Sequence, residues 1–352
     1  MRPSWLERRD EPPWLRVALA PLVPAALLYA AGAWLHRAVW HRGVRRPRRI
    51  GGARVVAVGN VTVGGSAKTP AAAWLARALR ERGHRTALVS RGYGRRSDER
   101  VVVVSDGARV HAGSAEGGDE PLLLAGLAPG VPVLVGSDRG LAGLRAAGAL
   151  GAELLVLDDG FQHHRLARDV DVVLIDGRLG FGNRWTLPRG PLREPLSALR
   201  EASAIGVVDG PLPEADEALV TRLAPAAYRF TAGRRPRGLR PLAGGPWWPA
   251  RGLEGLRVGL LSGIARPESL RRSVEALGAR VVAERTFADH HRYRPRDVRD
   301  LARATPIWVT TEKDALKIPA SWVGDADVRV LGIALAVDEP KRLLDWLEAR
   351  LR

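Results

Sequence analysis

"RVVAVGNVTVGGSAKTP", Arg54 to Pro70, sets a short apolar run against a glycine-rich loop that ends in a lysine. A phosphate-binding loop of the form G-x-x-x-x-G-K-[ST] needs Gly directly before the Lys and another five residues earlier. Here those positions hold Ala67 and Thr62. The residue types still suit a phosphate cradle. Gly64 and Gly65 supply permissive backbone, Lys68 a cation and Thr69 a hydroxyl for Mg²⁺. Such a loop opens onto a helix N-terminus, where backbone N–H groups face the anion. Pro70 suits the first helical turn, where its missing N–H costs little. A plain glycine-rich strand-to-helix turn has the same outline. Ala67 fits the pattern if its φ is negative.

Outward from the loop the chain alternates strands and helices. "TPAAAWLARALRERG" reads as a helix stopped by Gly83. "RTALVS", "RVVVVSDG", "VPVLVGS", "AELLVLDDG" and "DVVLIDG" read as strands. This alternation predicts a doubly wound α/β/α domain over 43–230, with ligands at the carboxyl ends of its strands. A Pro/Gly/Arg-rich stretch, 231–255, reads as a linker with room for short extended pieces. "RVGLLSGI", "ARVVAERTF" and "PIWVTTEKDAL" then restart the alternation, predicting a smaller α/β domain over 256–352 that ends in a helix.

The composition agrees with a folded protein of two domains: 352 residues, 46% hydrophobic and 26% charged. Without cysteine there is no disulfide framework and no thiolate metal site. The formal charge of +17 is nearly all arginine. It has two sources on equal footing: a genome that favours Arg, or a surface for anionic lipid or a phosphorylated substrate. No basic stretch interleaved with aromatics marks a nucleic-acid site.

Residues 1–42 form a separate segment. "VALAPLVPAALLYAAGAWL", Val17 to Leu35, carries no charge and approaches the roughly 20 residues that cross a bilayer. Pro21 and Pro24 suit a kinked helix in one leaflet. A cleaved secretory signal and a buried soluble helix are the rival readings. A retained anchor is favoured, because Arg37, Arg42, Arg45, Arg46, Arg48 and Arg49 follow at once. Such a cluster stays on the cytoplasmic face and attracts anionic headgroups.

Further groups could carry chemistry. Asp158 and Asp159 end an apolar strand, where a phosphate-loop enzyme needs a carboxylate for Mg²⁺. Asp119, in "GGDEP", reads as a helix cap by default and as a general base by the sharper reading. His290 and His291 lie in "FADHHRY" without partners at metal-ligand spacing. Arg189 and Arg193 sit in "LPRGPLREP", a Pro-rigid loop.

In order, "GNVTVGGSAKTP", "SRGYGR", "GDEP", "VGSDR", "DDGFQHHRLARDVDVVLID", "LPRGPLREP", "FADHHRY" and "TTEKDALK" resemble the successive motifs of the tetraacyldisaccharide 4'-kinases. The resemblance covers nearly the whole chain. It implies transfer of the ATP γ-phosphoryl group, with Mg²⁺, to the 4'-hydroxyl of an acylated disaccharide 1-phosphate at the inner face of the cytoplasmic membrane. It also implies two α/β/α domains joined by a two-stranded linker. By position, Thr62, Gly64, Gly65, Ser66, Ala67, Lys68, Thr69 and Tyr93 belong to the nucleotide. Thr69, Asp158 and Asp159 belong to the metal, and Asp119, His290 and Lys68 to catalysis. Glu120, Arg139, His163, Arg193 and Glu194 surround them. Whether His290 or His291 faces the site stays open. No nucleic acid and no obligate protein partner is expected. The alternatives are a membrane-tethered ATPase and a nucleotide-binding module.

Overall fold

Alternation along one strand builds the centre of the molecule. Val56 and Val58 pack on the helix Lys68–Glu81, while Val55 and Ala57 pack on the opposite side against the helix Arg139–Leu150. A strand buried on both faces needs helices on both, which is the doubly wound arrangement. The computed structural model describes residues 8–352. The first seven residues of the expected 1–42 segment lie outside it.

In chain order the strands are β1 (Arg54–Gly59), β2 (Thr86–Ser90), β3 (Val102–Ser105), β4 (Val133–Val135), β5 (Leu154–Asp158) and β6 (Val170–Asp176). They continue as β7 (Ala204–Val208), β8 (Tyr228–Pro241), β9 (Arg257–Ser262), β10 (Arg280–Thr286), β11 (Ile307–Thr311) and β12 (Asp327–Val337). All belong to one 12-stranded sheet in the order β10-β9-β11-β12-β8-β7-β6-β1-β5-β2-β4-β3. Pairing is parallel except at β3–β4 and β8–β12. β1 lies between β5 and β6, so the chain leaves it toward one edge and later returns on its other side. The loop after β1 therefore opens at a topological switch point, where such sheets bind ligands.

The 231–255 stretch is strand, not loose connection, as far as Pro241. The beginning of β8 pairs with β7, and its remainder runs antiparallel to β12, from Ala232–Val337 to Arg329–Pro241. Pro236 lies at an irregularity in that ladder, where the register shifts between Gly332 and Ile333. A bulge is where a strand tolerates proline, which is how so Pro-rich a segment still pairs.

Beyond β8 and β12 a separate core forms on both faces of β9 and β11, around Leu260, Leu270 and Val309 on one side and Trp308, Leu261 and Leu301 on the other. The C-terminal helix Pro340–Leu351, expected with this second unit, instead returns to the first. Leu344 and Leu347 join the core around Lys68–Glu81, and Arg82 bonds Asp345 and Glu348. Its apolar stripe packs on Val172 and Leu174 of β6.

The N-terminal segment is helical from Pro13 to His41, with a tight turn at Ala20–Leu22 around Pro21. Most of it is exposed, including Trp14, Val17, Leu28 and Leu35.

Candidate active site

The loop between β1 and the helix Lys68–Glu81 brings its polar groups to one place. Gly64 has φ 119°, and the Lys68 ammonium lies 3.5 Å from the Gly64 carbonyl and 3.8 Å from Asp159 Oδ1. Ser66 is buried with its hydroxyl unpartnered. Thr62 is tied to its neighbourhood through the Asn60 side-chain amide, which donates to its carbonyl. Thr69 stands in the first turn of the helix. Ala67 differs from the expectation. Its φ is +60°, a left-handed conformation, so the residue immediately before the lysine does require a positive φ here. Its Cβ is accepted there at a cost of about 1–2 kcal/mol.

Asp158 ends β5 directly beside Val58 of β1. Its carboxylate is fully buried, and Oδ1 has no hydrogen-bond partner. Burial, with the Glu120 and Asp159 carboxylates nearby, pushes it up to about 7. Asp159 follows with φ 51° and takes the opposite shift. Burial would raise it, but Lys68 and Arg193 outweigh burial, and Arg193 bonds both its oxygens at 2.8 Å. Burial draws the Lys68 ammonium below its ordinary value, against the pull of both aspartates. Arg139 donates to the Asp159 carbonyl and to His163 Nδ1 at 3.0 Å. Burial and Arg139 push His163 down to about 3, so the ring is a neutral acceptor.

A second wall comes from beyond the bridging strands. His290, with φ 60°, points its ring across the cleft, 5.4 Å from the Tyr93 ring and with Nε2 3.9 Å from Glu120 Oε1. His291 turns away: it pairs with Asp297 and stacks on Phe287. His290 is thus the histidine that faces the first unit, and its near carboxylates are Glu120 and Asp289, not Asp119. Asp119 is the first residue of the helix Asp119–Leu127, whose cap is Gly118, so its carboxylate is free of capping duty. It lies 4.0 Å from the Lys317 ammonium. Lys313 sits 3.1 Å from His290 Nε2, 3.1 Å from Asp289 and 3.9 Å from Glu120. Arg266, also from the second unit, bonds Asp176 and reaches the Gly65 carbonyl.

Lys313, Lys317 and Arg266 were not singled out from the sequence. A signal existed: in a chain that uses arginine almost everywhere, the only lysines are Lys68, Lys313, Lys317 and Lys341. All but Lys341 line this cleft. Glu194 lies elsewhere than expected. It is buried against the N-terminal helix, 3.7 Å from Arg37 and 3.6 Å from His164. Arg189 likewise bonds Glu11, not the cleft.

A strand–loop–helix cradle with a lysine, facing buried carboxylates at the switch point of an α/β sheet, defines a phosphate-loop nucleotide enzyme. The family described as Tetraacyldisaccharide-1-P 4'-kinase matches residues 18–352, and the chain belongs to it. It is 46% identical over 362 residues to the tetraacyldisaccharide 4'-kinase of Anaeromyxobacter sp. (strain K), covering 99% of this chain and 93% of that one. The enzyme of the same name from Syntrophus aciditrophicus is 42% identical, over 83% and 82% of the two chains. The solved "apo" form of LpxK from Aquifex aeolicus in complex with ATP superposes with a TM-score of 0.76 at 28% identity, over 95% of this chain and 100% of that one.

The donor set suits Mg²⁺. Asp158 offers a buried oxygen with nothing bonded to it, Asp159 a second carboxylate and Thr69 a hydroxyl, all hard oxygen ligands. Proton and cation compete for Asp158, whose raised value keeps it protonated below about 7. Mg²⁺ affinity should therefore fall about tenfold per pH unit as pH drops below that value, because the deprotonated form becomes rarer. Calorimetric Mg²⁺–nucleotide titrations across this range, compared with Asp158→Asn, measure the slope; equal slopes in both proteins would refute the assignment. Ala67→Gly should raise the melting temperature. It relieves about 1–2 kcal/mol of left-handed cost against an unfolded-state penalty of about 0.4–1 kcal/mol. A lower melting temperature for Ala67→Gly would contradict the backbone geometry.

Proposed function

We propose that the cleft phosphorylates the 4'-hydroxyl of an acylated disaccharide 1-phosphate, with the phosphate loop as donor side and Asp119, Glu120 and His290 as acceptor side. Family membership establishes the kinase activity and its ATP dependence. The observation that supports this division of labour is the charge arrangement. Lys68, Arg139 and Arg193 cluster on Asp158 and Asp159, while the second unit brings His290, Lys313 and Lys317 to Asp119 and Glu120.

Lys68 binds the outer phosphates and offsets their charge. Bound Mg²⁺, held by Asp158, Asp159 and Thr69, would supply further positive charge toward the transferring group. Asp119, unencumbered by capping, accepts the proton from the acceptor hydroxyl. Lys313 donates to His290 Nε2 and lies 3.9 Å from Glu120, so its ammonium stands between the ring and that carboxylate. Arg139 fixes the loop that carries Asp159. Because these groups come from units joined by β8 and β12, closure about those strands assembles the site. Transfer then rests on positioning and electrostatics, as phosphoryl transfer generally does.

The N-terminal segment supports a place on the inner leaflet. A helix that crossed the bilayer would put its ends on opposite sides, about 30 Å apart. Here both ends touch one body: Glu11 pairs with Arg189, and Arg37 with Glu194 and Glu201. The middle is held too, since Thr186 donates to the Ala26 carbonyl at 2.7 Å. We read the segment as lying along the membrane surface, with Val17, Leu28 and Leu35 toward lipid and the exposed Arg42, Arg45, Arg46 and Arg49 toward headgroups.

Asp119→Ala should lower labelled-phosphate transfer from ATP to lipid A precursors by about 10²-fold or more, with nucleotide affinity retained. Normal turnover by this variant would remove Asp119 as the base, and ATP hydrolysis by the unaltered protein without lipid labelling would favour an ATPase. The pair Val17→Glu and Leu28→Glu should move the protein from membrane to soluble fraction while ATP binding persists. Unchanged sedimentation with membranes would overturn the surface-helix reading.

A further inference from the structure

A second polar centre lies away from the cleft, where the N-terminal helix meets the body. His41 ends that helix, His164 follows β5, and Glu201 closes the turn Leu196–Glu201. One ligand atom from each lies within 4.8 Å of the others. The His164 side chain is 1% exposed, and neither of its ring nitrogens has a hydrogen-bond partner. Glu201 Oε2 is likewise buried and unbonded, although His41 Nε2 is 3.0 Å away. Folded proteins rarely leave a buried imidazole idle, because the lost hydrogen bonds to water are not replaced.

The charges leave room for a cation. Arg37 lies 3.3 Å from Glu201 Oε1 and 3.7 Å from Glu194, and Arg168 bonds Asp171 at 2.6 Å. These two guanidinium groups face three carboxylates. Arg37 engages the other oxygen of Glu201, which leaves Oε2 toward the histidines. Glu194, 3.6 Å from His164 Nε2, is placed to orient that ring, as carboxylates beside metal-bound histidines commonly do. Two imidazoles and a carboxylate form a ligand set suited to zinc, with a fourth position for water. Mg²⁺ prefers all-oxygen surroundings, so this centre differs in chemistry from the acid pair of the cleft.

We propose that His41, His164 and Glu201 bind one divalent transition-metal ion of the zinc class and thereby fasten the end of the N-terminal helix to the kinase body. The inference is independent of the roles assigned in the cleft. His41 belongs to the membrane segment, and His164 and Glu201 to the catalytic unit, so the ion would couple the two.

The test uses the full chain in detergent micelles, stripped with a chelator and titrated with zinc by calorimetry, with Co²⁺ absorption as a second readout of imidazole ligation. One zinc per chain is expected. His41→Gln and Glu201→Gln should each weaken it by about tenfold or more, whereas His84→Gln and His111→Gln, at histidines that pair with Glu348 and Asp106, should not. His41 is 43% exposed on its side chain, so its replacement leaves the body packed, and retained ATP binding checks that. Zinc should also protect the helix from limited proteolysis in the unaltered protein and not in His41→Gln. The proposal is overturned if the unaltered protein takes up no zinc. It is equally overturned if uptake is the same in His41→Gln, or if it depends on His84 or His111.

Discussion

The carboxyl group of Asp158 lies at the end of a central strand, out of reach of water, with an oxygen bonded to nothing. A buried carboxylate is costly unless a cation answers it. Much of the surrounding architecture supplies or balances that answer. β1 delivers Lys68 from the strand next door, and Arg193 and Arg139 hold Asp159 just beyond it. The two neighbouring acids thus diverge. Asp159 is paired and held low, while Asp158 is left raised and available. A centre that takes a dication together with a polyphosphate needs this division, since uniform pairing would leave no ligand to give.

The same logic extends across the cleft. The first unit presents Asp119, Glu120 and Asp176, and the second brings Lys313, Lys317 and Arg266 to meet them. Contacts of about 3–4 Å between groups partly shielded from water are stronger than surface ion pairs, though still modest individually. They hold the two units against each other across the cleft. β8 and β12 provide the mechanical link, since each gives residues to both cores: Ala232 and Leu335 to the first, Leu239 and Leu331 to the second. The C-terminal helix, returned to the first unit, follows directly from β12 and packs it to the phosphate-loop helix.

Much of the chemistry was legible in order along the chain. Strand, glycine-rich loop and helix are local patterns, and so is an acid pair at the end of an apolar strand. Those patterns point to Lys68, Asp158 and Asp159, which the structure brings together. The structure places Arg139 and Arg193 on Asp159 and His163 on Arg139; of the two arginines, only Arg193 had a signal of its own, a Pro-rigid loop, in so Arg-rich a sequence. Glu194 shows the limit, because a charged residue next to a site residue can face the other way. Arg193 turns to Asp159 and Glu194 to the N-terminal helix. The lysines of "TTEKDALK" carry no such signal, for no local rule says that a short helix at the end of β11 will meet acids far earlier in the chain.

By itself the sequence determined the alternation of strands and helices, the loop that precedes the lysine, and the apolar segment with its arginine border. These depend on residue periodicity and on chemistry within a few positions. Only the tertiary structure decided that Ala67 adopts a left-handed backbone, that His290 and not His291 faces the cleft, and that the Pro-rich stretch pairs as a strand. It also decided that both ends of the apolar helix rest on one body. The reason is physical. Each of these outcomes depends on groups brought together by sheet order and helix packing, and their free energies belong to contacts that have no footprint in the neighbouring sequence.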